Sequence, residues 1–254
     1  MPTVARFNVT PMKGTALQHP ERVQLEAYGV PGNRAFFLVD PAGKRISATR
    51  FGSLIPVHAD HDGDNDLLTL SFPDGTTVSG PAAPGPEELV TDMWGRDVSC
   101  HVVEGDFAAV LSAYLDEPVR LVRCDRDGDG NDEQAVTIVS LESVAELASH
   151  GGHDGPLDAG RFRMTIELEG CAPHQEDTWV GKDVRVGDAV LRVDEPVPRC
   201  IVTTRSPTSG ERDFDTLKVI ASYRERTPDG LPFGIYATVT QPGAVALGDP
   251  ILLG

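Results

Sequence analysis

Short apolar segments ended by Gly or Pro turn signals constrain this chain more than any other feature. Val4–Thr10 alternates loosely, and Arg22–Ala27 (RVQLEA) alternates strictly. Ala35–Asp40 (AFFLVD) stops at Pro41-Ala42-Gly43, and Leu67–Phe72 (LLTLSF) runs into the hairpin-type turn Pro73-Asp74-Gly75. Strands spaced at roughly ten residues with turns between them read as a small β-barrel or sandwich. The 26 Gly, 20 Pro and 6% aromatic residues among 254 argue against a helix bundle. That length suffices for one large domain or two small ones.

The Pro/Gly-rich stretch 80–86 is read as an interruption of the strands. The period then changes. Asp106–Leu115 places Phe107, Val110, Leu111 and Tyr114 on one helical face, and Leu141–Ser149 reads as a second helix capped by Ser140. Leu217–Tyr223 reads as a short third helix. Strands are expected again at Met164–Leu168, Asp183–Val186, Ala189–Val193, Ile201–Thr204, Ile235–Val239 and Pro250–Leu253. Asp125–Glu133 (DRDGDGNDE) starts like a calcium loop, but Val136 stands where the bidentate Glu belongs, so it reads as a solvated acidic loop.

Several partner classes drop out. A net charge of −17 repels nucleic-acid backbones over most of the surface. No apolar run approaches a membrane span, and the first residues lack a secretory layout, so no membrane partner and a cytoplasmic location are expected. Cys100, Cys124, Cys171 and Cys200 form no CxxC pair and no iron–sulfur-type cluster, and no G-x-G-x-x-G follows a strand. Electrons for any redox reaction must then come from a separate donor protein.

Basic residues are scarce, so their placement carries information. Lys13 precedes Gly14, Arg34 precedes the AFF strand, Arg161 and Arg163 are expected to open a strand, and Arg199 adjoins Cys200. Each alone reads as a surface charge; together they suit a phosphate-bearing ligand. Cys200 joins a Pro-x-Pro-Arg turn to a β-branched segment. A thiol beside an arginine gains thiolate character, a soft ligand for a heavy metal. A small buried hydrophobe is the alternative reading.

These motifs have a collective resemblance. Arg161–Arg163 (RFR), Gly170-Cys171, Glu176–Trp179, Val186–Asp188, Pro198–Cys200 (PRC), Thr203–Gly210, Phe233–Tyr236, Pro242-Gly243 and Gly248-Asp249 are similar, in order, to the MOSC domain, named for the C-terminal domain of molybdenum cofactor sulfurases. Val4 with Pro11–Gly14, Tyr28–Val30 with Asn33–Phe36, and Val39-Asp40 with Thr49-Arg50 resemble the N-terminal β-barrel domain that accompanies it. The layout is similar to the amidoxime-reducing components and their bacterial counterparts. The resemblance implies a mainly β fold with a few helices: an N-terminal β-barrel domain over residues 1–103 packed on a MOSC barrel over 104–254. It implies a molybdenum cofactor (Mo-molybdopterin) in the cleft between them, with Cys200 as molybdenum ligand and catalytic residue. Lys13, Arg34, Arg163, Arg199 and Ser140 are the implied cofactor contacts, Ser140 through the anion-binding start of its helix. The implied activity is reduction of an N-oxygenated or similar small molecule. The alternatives are a sulfur carrier using a Cys200 persulfide and a cofactor-binding protein without turnover. The family's Tyr-Pro-Val-Lys-Ser, Asp-Arg and Arg-Phe-Arg-Pro-Asn become Thr10–Gly14, Asn33-Arg34 and Arg161–Thr165.

Overall fold

The computed structural model describes Met1–Gly254 and is built mainly from β-strands, with α-helices only at Phe107–Leu115 (α1), Leu141–His150 (α2) and Thr216–Tyr223 (α3). A seven-stranded sheet runs in the order Thr3–Phe7, Ile166–Glu169, Val136–Ser140, Pro232–Gln241, Ala189–Pro198, Asp183–Val186, Ile251–Leu253. Its two ends meet. Val4 N–H donates to Asp249 O (3.0 Å) and Ile251 N–H to Pro2 O (2.8 Å), so the sheet is a nearly closed barrel. Closure removes the free edges that an open sheet leaves exposed. Alternate residues point inward, and Phe7, Ile138, Leu168, Val184, Leu191 and Ile235 fill the interior around Trp179, which is 1% exposed.

The N-terminal module holds a five-stranded sheet, Arg45–Ile46, Phe36–Val39, Arg120–Cys124, Arg96–Val103, Pro84–Met93, and a three-stranded one, His58–Asp62, Leu67–Ser71, Thr77–Pro81. Phe36, Leu38, Leu68 and Leu70 share a core with Phe107 and Leu111 of α1. The sheets therefore part after Cys124, not after the expected Val103. Helix α1 and the strand Arg120–Cys124 belong to the N-terminal module, while the first strand of the chain belongs to the C-terminal barrel. Burial decided this: the apolar face of α1 has its partner in the preceding sheets.

Three local expectations give way to the structure. Residues 80–86 interrupt the strands only at Ala82-Ala83; the rest ends Thr77–Pro81 of the three-stranded sheet and begins Pro84–Met93 of the five-stranded one. Both strands lie at sheet edges, where a missing proline N–H costs no ladder bond. Ile201–Thr204 is a 3-10 turn, not a strand. The Thr203 and Thr204 hydroxyls donate back to the Cys200 and Ile201 carbonyls (3.0 and 2.8 Å), overriding β-branched strand preference. Arg161 and Arg163 do not open a strand. Ala159–Phe162 is a 3-10 turn that Arg163 ends in the left-handed region (φ 54°), and the strand starts at Ile166. No helix is long and apolar enough to cross a membrane.

Candidate functional site

A cleft of about 490 Å³ lies where the two modules meet. Lys13, Arg34, Arg45, Arg163 and Arg199 line it against three carboxylates, Asp132, Glu133 and Asp229. This is a local positive excess in a chain whose net charge is −17. Cys200 lies at the same cleft, as do Thr137, Met164 and Tyr236. Of the residues singled out in the sequence, the structure brings together Lys13, Arg34, Arg163, Arg199 and Cys200.

Local pairing sets each position. Arg34 N–H donates to Thr10 O (2.7 Å), Phe36 N–H to Pro11 O (2.9 Å) and Lys13 N–H to Phe36 O (2.7 Å), so Thr10–Lys13 runs beside Arg34–Phe36. Asn33 Oδ1 accepts from Thr10 N–H (3.0 Å), a role a carbonyl oxygen fills as well as a carboxylate. Arg163 Nη2 donates to Thr15 O (2.6 Å), joining the C-terminal barrel to the N-terminal segment, and Arg34 Nη2 donates to Arg163 O (3.0 Å). Arg34, Trp94 and Arg163 have φ of 57°, 58° and 54°, and all line the cleft. Non-glycine residues held in this region are sparse and gather at functional sites.

Cys200 is exposed. It caps the turn Ile201–Thr204, whose Thr203 is fully buried. Arg161 Nη1 and the Thr216 hydroxyl donate to Thr203 O (3.2 and 2.6 Å), and Arg161 also pairs with Asp213. Arg161 is thus no surface charge: it is 3% exposed and props the turn that presents the thiol. Arg199 Nη2 donates to Phe162 O (2.6 Å), and its guanidinium stacks on the Phe162 ring at 5.3 Å. Burial pushes the Arg199 pKa down, which an ionised Cys200 beside it opposes.

Ser140 is a correction. It does cap α2, accepting from Ser143 N–H (3.1 Å), but it is fully buried and absent from the cleft. The Glu176 carboxylate takes its hydroxyl (3.0 Å) and its N–H (3.1 Å), and also the Ser143 hydroxyl (2.8 Å). An internal carboxyl group, whose pKa burial raises, therefore fills this helix start. From the strand before it, Thr137 lines the cleft, its hydroxyl accepting from Thr165 N–H (2.9 Å).

The acidic loop is a second correction, because only its first half is solvated. Asp132 Oδ1 accepts from Lys13 Nζ (2.7 Å) and Trp94 Nε1 (2.9 Å), and Oδ2 from Arg34 Nη1 (2.8 Å). Burial raises the Asp132 pKa, but the Lys13 and Arg34 charges outweigh it and hold the carboxyl well below its usual range. A Cβ on Gly130 would sit 1.9 Å from Arg34 O, so only glycine allows the loop this approach. Its D-G-D-G spelling looked like solvent because nothing local marks Asp132 as the partner of residues about a hundred positions away.

Burial also lowers the Lys13 ammonium, to about 8, with Asp132 opposing and Arg34 adding to the shift. Lys13 is then cationic below that pH and neutral above it. Binding of inorganic phosphate, followed by calorimetry, should weaken as pH rises above about 8, and Lys13→Gln should remove that dependence. An unchanged pH profile in the variant would exclude Lys13 from the anion site.

The MOSC domain model matches residues 125–252, and the MOSC N-terminal beta barrel domain model matches residues 1–118. The chain belongs to the MOSC family. Human mitochondrial amidoxime reducing component 2 is 36% identical over 98% of this chain and 82% of its own length. Human mitochondrial amidoxime-reducing component 1 is 30% identical over 99% and 82%. The molybdenum cofactor sulfurase of Drosophila willistoni is 24% identical over 93% of this chain but only 31% of its own length. In this MOSC protein the cysteine and all four basic residues named from the sequence resemblance line one cleft, and the remaining named contact, Ser140, lies outside it.

Proposed function

We propose that this MOSC protein binds a molybdenum cofactor in the inter-module cleft, with Cys200 as metal ligand, and reduces an N-oxygenated or similar small molecule. The observation that carries the reading is the convergence of Lys13, Arg34, Arg163, Arg199 and Cys200 from distant parts of the chain on one cavity. The residues fit an anionic group with many acceptors. Arg45 Nε and Arg199 Nε are buried without a hydrogen-bond partner, and burial also depresses the Arg163 charge, which an entering anion would relieve.

Lys13 and Arg34 would hold the phosphate, since both reach one carboxylate already and a phosphate presents the same type of oxygen acceptors. Arg163 and Arg199 would bear on the rest of the group, and Cys200 would offer a soft anionic sulfur at the open side of the cleft. When bound, the cofactor supplies a metal able to accept an oxygen atom in a two-electron reduction. The protein's part is to orient it, keep the charges paired and limit water. Electrons would come from a separate donor protein. The amidoxime-reducing names of the relatives support this reading over a persulfide carrier, for which Cys200 alone would suffice. The test is elemental analysis of the chain made in a host that produces the cofactor. About one molybdenum per chain is expected; persulfide on Cys200 without molybdenum would favour the sulfur carrier.

A further inference from the structure

The N-terminal module holds two cysteines that the cleft chemistry does not use. Cys100 and Cys124 are register partners across the adjacent antiparallel strands Arg96–Val103 and Arg120–Cys124. Asp125 N–H donates to Ser99 O (3.1 Å), which makes the neighbouring Cys100/Cys124 pair a non-hydrogen-bonded one. The Cys124 N–H points the other way, to Ala35 O (2.8 Å). In such a pair the Cα atoms stand about 4.5 Å apart with side chains on one face, inside the span of about 4.4–6.8 Å that a disulfide bridges. Both thiols are free and lie in one buried cluster with Phe37, Met93 and Val122.

We propose that Cys100 and Cys124 form a reversible cross-strand disulfide when the protein meets a peroxide. Cys124 ends its strand and is 7% exposed, whereas Cys100 is fully buried, so Cys124 is the sulfur attacked first. Its thiolate attacks one peroxide oxygen, the O–O bond breaks, and the departing hydroxide takes the thiol proton and leaves as water. Cys124 is then a sulfenic acid. The Cys100 sulfur attacks it, the S–S bond forms, the S–O bond breaks, and a second water carries off the Cys100 proton. Two thiols and one hydrogen peroxide give one disulfide and two waters. The resolving thiol faces the sulfenic acid inside an apolar cluster, which favours condensation over further oxidation. The bond would pin the root of the acidic loop, because Cys124 leads directly into the residues that bring Asp132 to Lys13 and Arg34.

Burial sets the rate. It pushes Cys100 up to about 11, with Asp125 adding to it, and Cys124 up to about 12, with Cys100 adding to it. The thiolate is the nucleophile, so bond formation should quicken as pH rises.

The experiment treats the folded chain with hydrogen peroxide, quenches in acid, alkylates after unfolding and maps the peptides. A Cys100–Cys124 linked peptide is expected whatever the state of the exposed Cys200, with faster formation at higher pH and recovery on adding dithiothreitol. Cys100→Ala should remove the linked peptide and let Cys124 oxidise beyond the sulfenic acid, and Cys124→Ala should leave Cys100 free. Both cysteines fully alkylated in the wild type while Cys200 is oxidised would overturn the proposal, as would Cys124 ending as sulfinic acid without a link.

Discussion

Cys200→Ser is expected to reduce turnover to background and to release the molybdenum or alter its spectrum, with the fold intact. The side chain is exposed and makes no cap hydrogen bond, so its replacement should change stability by no more than about 0.5 kcal/mol. The loss is chemical: a hard, mostly protonated hydroxyl replaces a soft anionic sulfur of similar size. The pterin can still be held by the basic residues, so metal and pterin contents should separate in this variant. Cys171→Ser is the control. That thiol is half-buried, 3.7 Å from Glu142 Oε2 and outside the cleft, and burial raises it to about 11, so it should keep both metal and activity. The measurement is molybdenum per chain together with reduction of an N-oxygenated substrate by an artificial donor. Full activity in Cys200→Ser with an inactive Cys171→Ser would transfer the role to Cys171.

Arg34→Ala should lower cofactor retention by about ten- to a hundredfold, the equivalent of about 1.5–3 kcal/mol for hydrogen bonds to a charged group. Arg34 bonds Asp132 with one nitrogen and the Arg163 carbonyl with another, so its loss frees an anion and loosens the neighbouring arginine. The variant also keeps a non-glycine residue at φ 57°, so alanine there is as strained as arginine and the backbone should hold. Arg34→Lys should restore charge without the fork, and so recover only part of the retention. Pterin content after gel filtration, set beside the thermal transition of each variant, reads the effect. Wild-type retention in Arg34→Ala would remove this residue from the site.

Much of this was legible before the structure. The strands Asp183–Val186, Arg22–Leu25 and Leu67–Ser71 and the three helices stand close to where their periodicity put them, because each buries one face and so carries a period of two or of 3.6. Ser140 was legible as a cap for the same local reason, but its supposed contact with an anion was not. That error came from Glu176, which lies thirty-six residues on and fills the helix start from another segment. The Ile201–Thr204 turn was misread because β-branching favours strands until two threonine hydroxyls find carbonyls three residues back.

The sequence by itself determined the repertoire: short amphipathic strands, three helices, one cysteine at the end of a Pro-x-Pro-Arg turn, and 22 basic residues against 39 acidic ones. Those are properties of neighbours along the chain, where propensity, periodicity and turn chemistry act. Only the tertiary structure decided that the first strand joins the last barrel strands, that α1 packs backwards onto the N-terminal sheets, and that Asp132 meets Lys13 and Arg34. Each depends on contacts between residues about a hundred positions apart or more, or on which apolar face finds a partner. Such contacts are selected by burial and charge pairing in three dimensions, which leave no periodic trace at the positions they join.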